Sequence, residues 1–289
     1  MICILAADCP LFPKRYLKAS KYGMGLMDIG IGLFVCVSSA QNQIYSRRGP
    51  SVYVLIFGLL RLLILPLVNY SVAIEEYGRH WNASFTLYFS HLFAFLEAKK
   101  LSLLNATILS AIRHVLILHF ISKYSNYAPT IIRDNWPGII SITGFVFLNH
   151  CCSLITKYVL ECKHEFTYKA VVCISVVIMF LRFVIRSEID RGFCNITYCA
   201  HIIFIALFYF MVTQWQFKSI STDNLYIIIP RKMMLILFAI SNITTGLLNL
   251  FFQISNRVNT VLDTIVFLGT YCGFNLIITH LICFILKRI

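Results

Sequence analysis

Acidic side chains are scarce in this chain: 12 Asp and Glu among 289 residues, against 25 Lys and Arg. Charge of either sign is short, at 13%, where a soluble globule carries roughly a quarter and has a polar surface to cover. That shortage argues against a soluble domain of this length. Paired CxxC spacings are also missing. Of the 11 Cys, many, such as Cys36, Cys173 and Cys283, sit inside apolar blocks, where Cys serves as a small hydrophobe. Neither a zinc site nor a disulfide framework is indicated, and no metal site is expected. The N-terminus lacks a signal-peptide layout, because Asp8 and Pro10 precede any adequate apolar run. There is no linker, low-complexity tract or clear internal repeat. The net charge of +13 does not point to nucleic acid, because the basic residues are scattered in ones and twos between apolar blocks. That is the pattern of interfacial anchors, not of a phosphate-tracking stripe.

What is abundant is apolar sequence. The hydrophobic fraction is 59% and the mean hydropathy +0.78. Apolar blocks recur along the chain, several reaching the roughly 20 residues that cross a bilayer core. The pattern predicts an all-α fold, a polytopic transmembrane helical bundle of about nine spans joined by short loops. The expected spans are 24–42, 51–69, 82–97, 102–122, 138–160, 169–186, 197–216, 233–253 and 261–286. Residues 1–289 then form a single membrane domain, with a polar segment at 1–23 and the bundle at 24–286. Lys and Arg divide almost evenly between the two sets of loops. If the opening Lys14, Arg15, Lys18 and Lys21 have a chemical task, the remainder favours the even-numbered loops and the tail. Those then face the cytosol, and the opening segment faces the other side.

The odd-numbered side also carries the unusual residues. Its connections read EEYGRHWNASFTL (75–87), RDNWPGIISITG (133–144) and RSEIDRGFCNITY (186–198), whereas the other side has plain connectors such as SRRGPS and EAKK. One functional face is one explanation; an interfacial belt with helix caps at His80, Trp81 and Asn82 is the other. Within the spans, Arg61, Arg113, His201 and Asp263 are ionisable, and such groups face a bundle interior or water. Arg113 and His114 read as lying near a helix end, Asp263 as snorkelling, and His201 as a hydrogen-bonded core residue.

The opening segment, DCPLFPKRYLKASKYGMGLMDIGIG from Asp8 to Gly32, suits acyl transfer. Attack of a hydroxyl on a thioester needs a proton acceptor, and Asp8 supplies a carboxylate. It also needs positive charge where the oxyanion develops, and Lys18 supplies that. A snorkelling, positively charged juxtamembrane segment accounts for the same residues.

The order Asp8-x-x-x-Phe12-Pro13-Lys14-Arg15-Tyr16-x-Lys18, then Tyr22-Gly23-x-Gly25-Leu26-Met27-Asp28-x-Gly30-x-Gly32, resembles a signature of the PIG-W family. These are the inositol acyltransferases of glycosylphosphatidylinositol (GPI) anchor synthesis. Further similar blocks follow in the family's order: Glu76-Tyr77-Gly78-x-His80-Trp81-Asn82, Phe85-Thr86-Leu87, Arg191-x-x-x-Asn195-x-x-Tyr198, and Asn242-x-x-Thr245-Gly246-x-x-Asn249.

The resemblance implies a multi-pass endoplasmic reticulum membrane protein. It would move a fatty acyl group, typically palmitoyl, from acyl-CoA to the inositol 2-hydroxyl of glucosaminyl-phosphatidylinositol, on the lumenal side. Acyl-CoA is then a co-substrate and no cofactor is needed. The expected partners are acyl-CoA, the glycosylated phosphatidylinositol lipid and membrane lipids. The family's proposed catalytic Asp and Lys fall on Asp8 and Lys18. Substrate contacts are implied at Lys14, Arg15, Asp28, Arg61, Glu76, His80, Trp81, Asn82, Arg191 and Asn195; guanidinium groups in particular suit phosphate. The family carries further spans ahead of its first motif, so an internal start at Met1 or a reduced version is expected. Departures occur as well. Trp136-Pro137 replaces a basic–acidic pair, Pro66 a Lys and Ala73 a His. A lipid transporter or scramblase, and a relative that has lost catalysis, are the alternative readings.

Overall fold

A computed structural model describes residues 5–6, 9–13, 17–19, 22–44, 49–67, 77–124, 129–219, 231–252 and 260–288. Among these, every regular element is helical. In chain order they are α1 (Leu26–Ile44), α2 (Val52–Leu67), α3 (Ala83–Lys100), α4 (Leu103–Tyr124), α5 (Thr130–Asp134), α6 (Trp136–Met179), α7 (Ile196–Ser219), α8 (Arg231–Phe252) and α9 (Val261–Arg288). A π-helical turn, Phe180–Val184, follows α6.

Three helical stretches among the described residues are long and apolar enough to cross a membrane: Leu103–Ile121, Trp136–Tyr158 and Val261–Ile282. Val52–Ile64, Ile196–Val212 and Ala239–Phe252 are apolar but shorter. Length and composition therefore do not reach the expected number of spans. The clearest difference is at α6. A connection was expected between 160 and 169, yet α6 runs unbroken for 44 residues, about 66 Å at ~1.5 Å per residue. The intervening Cys162-Lys163-His164-Glu165-Phe166-Thr167 has no Gly, Pro or Asn to stop a helix. Polarity there marked a connection in the sequence, but polarity alone does not end a helix.

The chain divides into two compact units. The larger comprises Ala19–Met24 and Asp28–Lys218. Its central stave is α6, which packs chiefly against α3 and α4, while α3 also packs on α2. Burial makes the ranking plain: 61% of the Trp136–Tyr158 window is buried, against 17% of Leu103–Ile121. The core joins Val35 and Cys36 of α1, Phe145 and Leu148 of α6, and Tyr198 and Ile202 of α7. Between apolar helices in lipid the packing itself must hold, so small residues sit at the close approaches. Gly32 of α1 is one such position: a Cβ there would lie 2.7 Å from Ile202.

The smaller unit comprises Met1–Lys18, Gly25–Met27 and Ser219–Ile289. In it α8 packs on α9, and Leu5 and Cys9 are buried with Tyr271. Polar pairs bind the two helices. The Tyr271 hydroxyl donates to the Ser241 carbonyl at 3.0 Å and meets Thr245 Oγ1 at 3.0 Å, and Thr244 donates to Asn275 Oδ1 at 3.1 Å.

Candidate functional site

Three helix N-termini, those of α3, α6 and α7, meet in the larger unit, and each is prepared by its own residues. Asn82 caps α3, its Oδ1 accepting from the Ser84 and Phe85 N–H groups at 3.0 and 3.2 Å. Its amide donates to the Gly58 carbonyl at 3.1 Å, tying α3 to α2. Asn195 caps α7, with Oδ1 accepting from Tyr198 N at 2.9 Å and Asp190 N at 3.2 Å, and Nδ2 donating to Glu188 O at 2.7 Å. Pro137 stands in the first turn of α6, where its missing N–H costs nothing. Asp28 lies in the first turn of α1.

The segment before α3 is laced to the start of α6. Arg79 N donates to Asp134 O at 3.0 Å, Gly138 N to Tyr77 O at 3.1 Å, and His80 N to Asn135 Oδ1 at 2.7 Å. The approach requires Gly78, whose φ is 106° and whose Cβ, if present, would lie 2.5 Å from the Asn135 Cα. A left-handed backbone favours glycine, and here no side chain would fit in any case. This lacing sets Tyr77, and Arg191 rests on it: the guanidinium lies 5.2 Å from the ring centroid and donates to the hydroxyl at 3.3 Å.

Arg191 then reaches Asp28. Its Nε lies 3.0 Å from Asp28 Oδ1; Asp28 is wholly buried and the Arg191 side chain only 11% exposed. The other carboxylate oxygen accepts from the Ala19 N–H at 2.9 Å. The Tyr198 hydroxyl donates to the Asp28 carbonyl at 2.7 Å, and Gly23 N donates to Ile189 O at 2.9 Å. A chain of contacts thus runs from Asn135 through Tyr77, Arg191 and Asp28 to Ala19. Its electrostatics are coherent: helix N-termini carry partial positive charge, and a carboxylate among them is stabilised. With Arg191 added, the region suits an anionic group.

The residues expected at the site have different fates. Asp28, Arg191 and Asn195 come together. Trp81 lies alongside, its indole N–H donating to Thr86 Oγ1 at 2.9 Å. The His80 side chain is exposed, and the Asn82 side chain is committed to capping and to Gly58. Arg61 is exposed on α2. Lys18 is exposed and belongs to the smaller unit. Asp8, Lys14, Arg15 and Glu76, like Ala73, lie outside the described residues. Among the described residues no three His, Cys, Asp or Glu side chains gather as metal ligands.

A second polar group escaped the sequence reading. Glu97, which lies in a plain connector by sequence, is ion-paired with Arg113 Nη1 through Oε1 and bonded to His150 Nε2 through Oε2, the latter at 2.9 Å. Arg113 is therefore not a helix-end residue; it sits midway along α4. Six residues before Glu97, on the same helix, His91 lies between Asn149 at 2.9 Å and Ser38 at 2.8 Å. With the Asn149 amide donating to Nδ1, Nε2 carries the proton and donates to Ser38. The available signal was a Glu inside an apolar stretch, in a chain with few acids.

Fold and site together define a helical protein with membrane-length apolar stretches and a buried, ion-paired polar cluster beside converging helix N-termini. The family model GWT1 matches residues 1–282, and the chain belongs to that family. It is 29% identical over 296 residues to GPI-anchored wall transfer protein 1 of Schizosaccharomyces pombe, covering 89% of this chain and 64% of that protein. It is 27% identical over 236 residues to Glucosaminyl-phosphatidylinositol-acyltransferase PIGW of Bos taurus, covering 70% of this chain and 47% of that one. Against the protein of the same name in Mus musculus it is 41% identical over 100 residues, covering 30% and 20%. The chain thus spans less than two thirds of the length of these relatives.

Proposed function

We propose that this chain carries the acyl-transfer centre of a GPI-anchor inositol acyltransferase, moving a fatty acyl group, typically palmitoyl, from acyl-CoA to the inositol 2-hydroxyl of glucosaminyl-phosphatidylinositol. Membership of the GWT1 family and the names of the mammalian relatives support the reaction class. The structural observation that carries the reading is the anchoring of Ala19. This residue directly follows Lys18, and its N–H is held by a buried carboxylate that is itself paired with Arg191. A buried carboxylate paired with a largely buried guanidinium is costly to desolvate, and its use here is to fix the Ala19 backbone.

In the proposed reaction Asp8 takes the proton of the inositol hydroxyl as its oxygen attacks the thioester carbonyl carbon. Lys18 stabilises the resulting oxyanion. Collapse re-forms the carbonyl, breaks the C–S bond and releases the CoA thiolate, which recovers the proton from Asp8. Arg191 and the helix N-termini supply positive potential for the substrate's phosphodiester. The reaction proceeds in the endoplasmic reticulum membrane on its lumenal side, within a bundle of apolar helices.

Expression in a cell lacking its own inositol acyltransferase tests the proposal, with the inositol-acylated intermediate read by lipid mass spectrometry. The wild-type chain restores acylation, while Asp8→Asn and Lys18→Ala abolish it at equal protein levels. Full acylation by either variant would remove the assignment of that residue.

A further inference from the structure

A groove of about 460 Å³ lies between α3, α4 and α6 of the larger unit. Trp81, Phe89 and Phe93 form one wall, with Phe89 stacked against Trp81 at 6.0 Å and against Phe93 at 6.4 Å between ring centroids. Ile142 and Val146 form the other wall, and Arg113 bounds the groove from α4. One end reaches Trp81, which packs against Gly138 in the laced corner beneath Tyr77 and Arg191.

The other end follows from the helical register. On α3 the stripe Phe85, Phe89, Phe93 recurs every four residues, and the next position is Glu97. On α6 Ile142 and Val146 recur likewise, and the next position is His150. Both apolar stripes therefore end, one turn further on, in groups that are bonded to each other at 2.9 Å, and Arg113 joins them through Glu97. From Ile139 to His150 the apolar run is about 16 Å long at ~1.5 Å per residue. A hydrocarbon chain laid along it meets apolar surface throughout and then an ion-paired group it cannot solvate.

We infer that this groove holds the hydrocarbon chain of the acyl donor, and that the Glu97–Arg113–His150 group closes its far end and so sets the chain length the protein accepts. The inference rests on the acyl-transfer reading. The volume falls in the range of small-molecule sites. The polar end lies beside the cluster proposed to receive the substrate headgroup, and the ionic end gives the groove a definite length. Phe93 acts as a specificity-determining residue near the closed end and Val146 as a second one opposite it.

The test uses the full chain in permeabilised microsomes of the acyltransferase-null cell, supplied with equal mixtures of myristoyl-, palmitoyl- and stearoyl-CoA. Phe93 is 43% exposed, so Phe93→Ala lengthens the groove without emptying a core. It is expected to raise stearoyl over palmitoyl transfer about tenfold, since methylenes in a fitted apolar pocket discriminate on that order. Glu97→Gln with Arg113→Met is expected to shift use in the same direction. Val146→Phe fills the groove and moves use toward myristoyl. Loss of total turnover with unchanged chain-length ratios in all three overturns the inference.

A second measurement is independent of turnover: photolabelling of the wild-type chain by palmitoyl-CoA bearing a terminal diazirine. Labels on the Phe93 and Val146 peptides support the groove even if no acyl transfer occurs, in which case only the acyltransferase reading fails. Labels elsewhere, or equal labelling of those peptides by a diazirine phosphatidylcholine, overturn the assignment to the donor.

Discussion

The Asp28 carboxylate is completely buried, paired with Arg191 and bonded to the Ala19 N–H. Removing one partner of such a pair strands the other's charge, at a typical cost of about 3–5 kcal/mol. Arg191→Met should therefore destabilise the protein by about that much, measured as thermal inactivation in detergent, and should abolish acylation. Combining it with Asp28→Asn removes the stranded charge and should recover much of the stability, yet not the activity, because Ala19 is then held by a neutral acceptor and the positive charge is gone. Recovery of activity in the double variant would show that the pair only holds the fold. Arg191→Lys should behave more like the Met variant than its charge suggests, since an ammonium cannot lie flat on Tyr77 and reach Asp28 together. Asp28 and Arg191 were legible in the sequence because each falls within a recognisable motif. Tyr77 as the rest for Arg191 was not, because the two are 114 positions apart.

Helices meet here at glycines, and the same substitution should act oppositely at two of them. Gly144 on α6 faces the Cys194 carbonyl, and a Cβ there would overlap backbone that cannot move aside. Cys194 already has φ 51°, so the loop carrying Arg191 has little freedom. Gly144→Ala should push that loop away and lower both thermal stability and acylation. Gly246 on α8 has nothing within 4 Å of the corresponding point, so Gly246→Ala should gain about 1 kcal/mol of helix propensity and leave activity intact. The two variants, compared in one thermal-inactivation series, check the packing directly; equal losses at both sites would contradict it. Capping offers a further measure: Asn82→Ala should cost about 0.5–2 kcal/mol, and Asn82→Asp no less, because it keeps the cap but sets a buried carboxylate oxygen against the Gly58 carbonyl. At this scale the sequence was informative where an end is chemically marked, as by Asn82. It was uninformative at residues 161–168, where polar side chains interrupt the apolar pattern but nothing stops the backbone helix. The Glu97–His150 contact was hidden for a different reason: the pairing spans 53 positions, and neither residue's local context distinguishes a partnered group from a surface one.

For the molecule as a whole, the proposed reaction makes a demand on topology. The start of α3 belongs to the polar cluster, and its other end carries Lys99 and Lys100, both exposed, with Lys99 lying 4.3 Å from the Phe95 ring centroid. If the cluster faces the lumen, these two lysines face the cytosol, the side that basic loop residues favour. Lys18, exposed and in the segment assigned to catalysis, must then face the lumen. Sealed microsomes expose only the cytosolic surface to a membrane-impermeant amine reagent. Peptide mass spectrometry should therefore find Lys99 and Lys100 modified at once, and Lys18 modified only after the membrane is permeabilised. Replacing Lys99 and Lys100 by Arg should remove the early signal and preserve acylation, because neither belongs to the polar cluster. The reverse order of labelling would place Lys18 beside cytosolic water and separate it from a lumenal substrate headgroup. The acyl-transfer centre would then have to be sought at the opposite end of the helices, where the Glu97–Arg113 ion pair and His150 are the polar groups at hand.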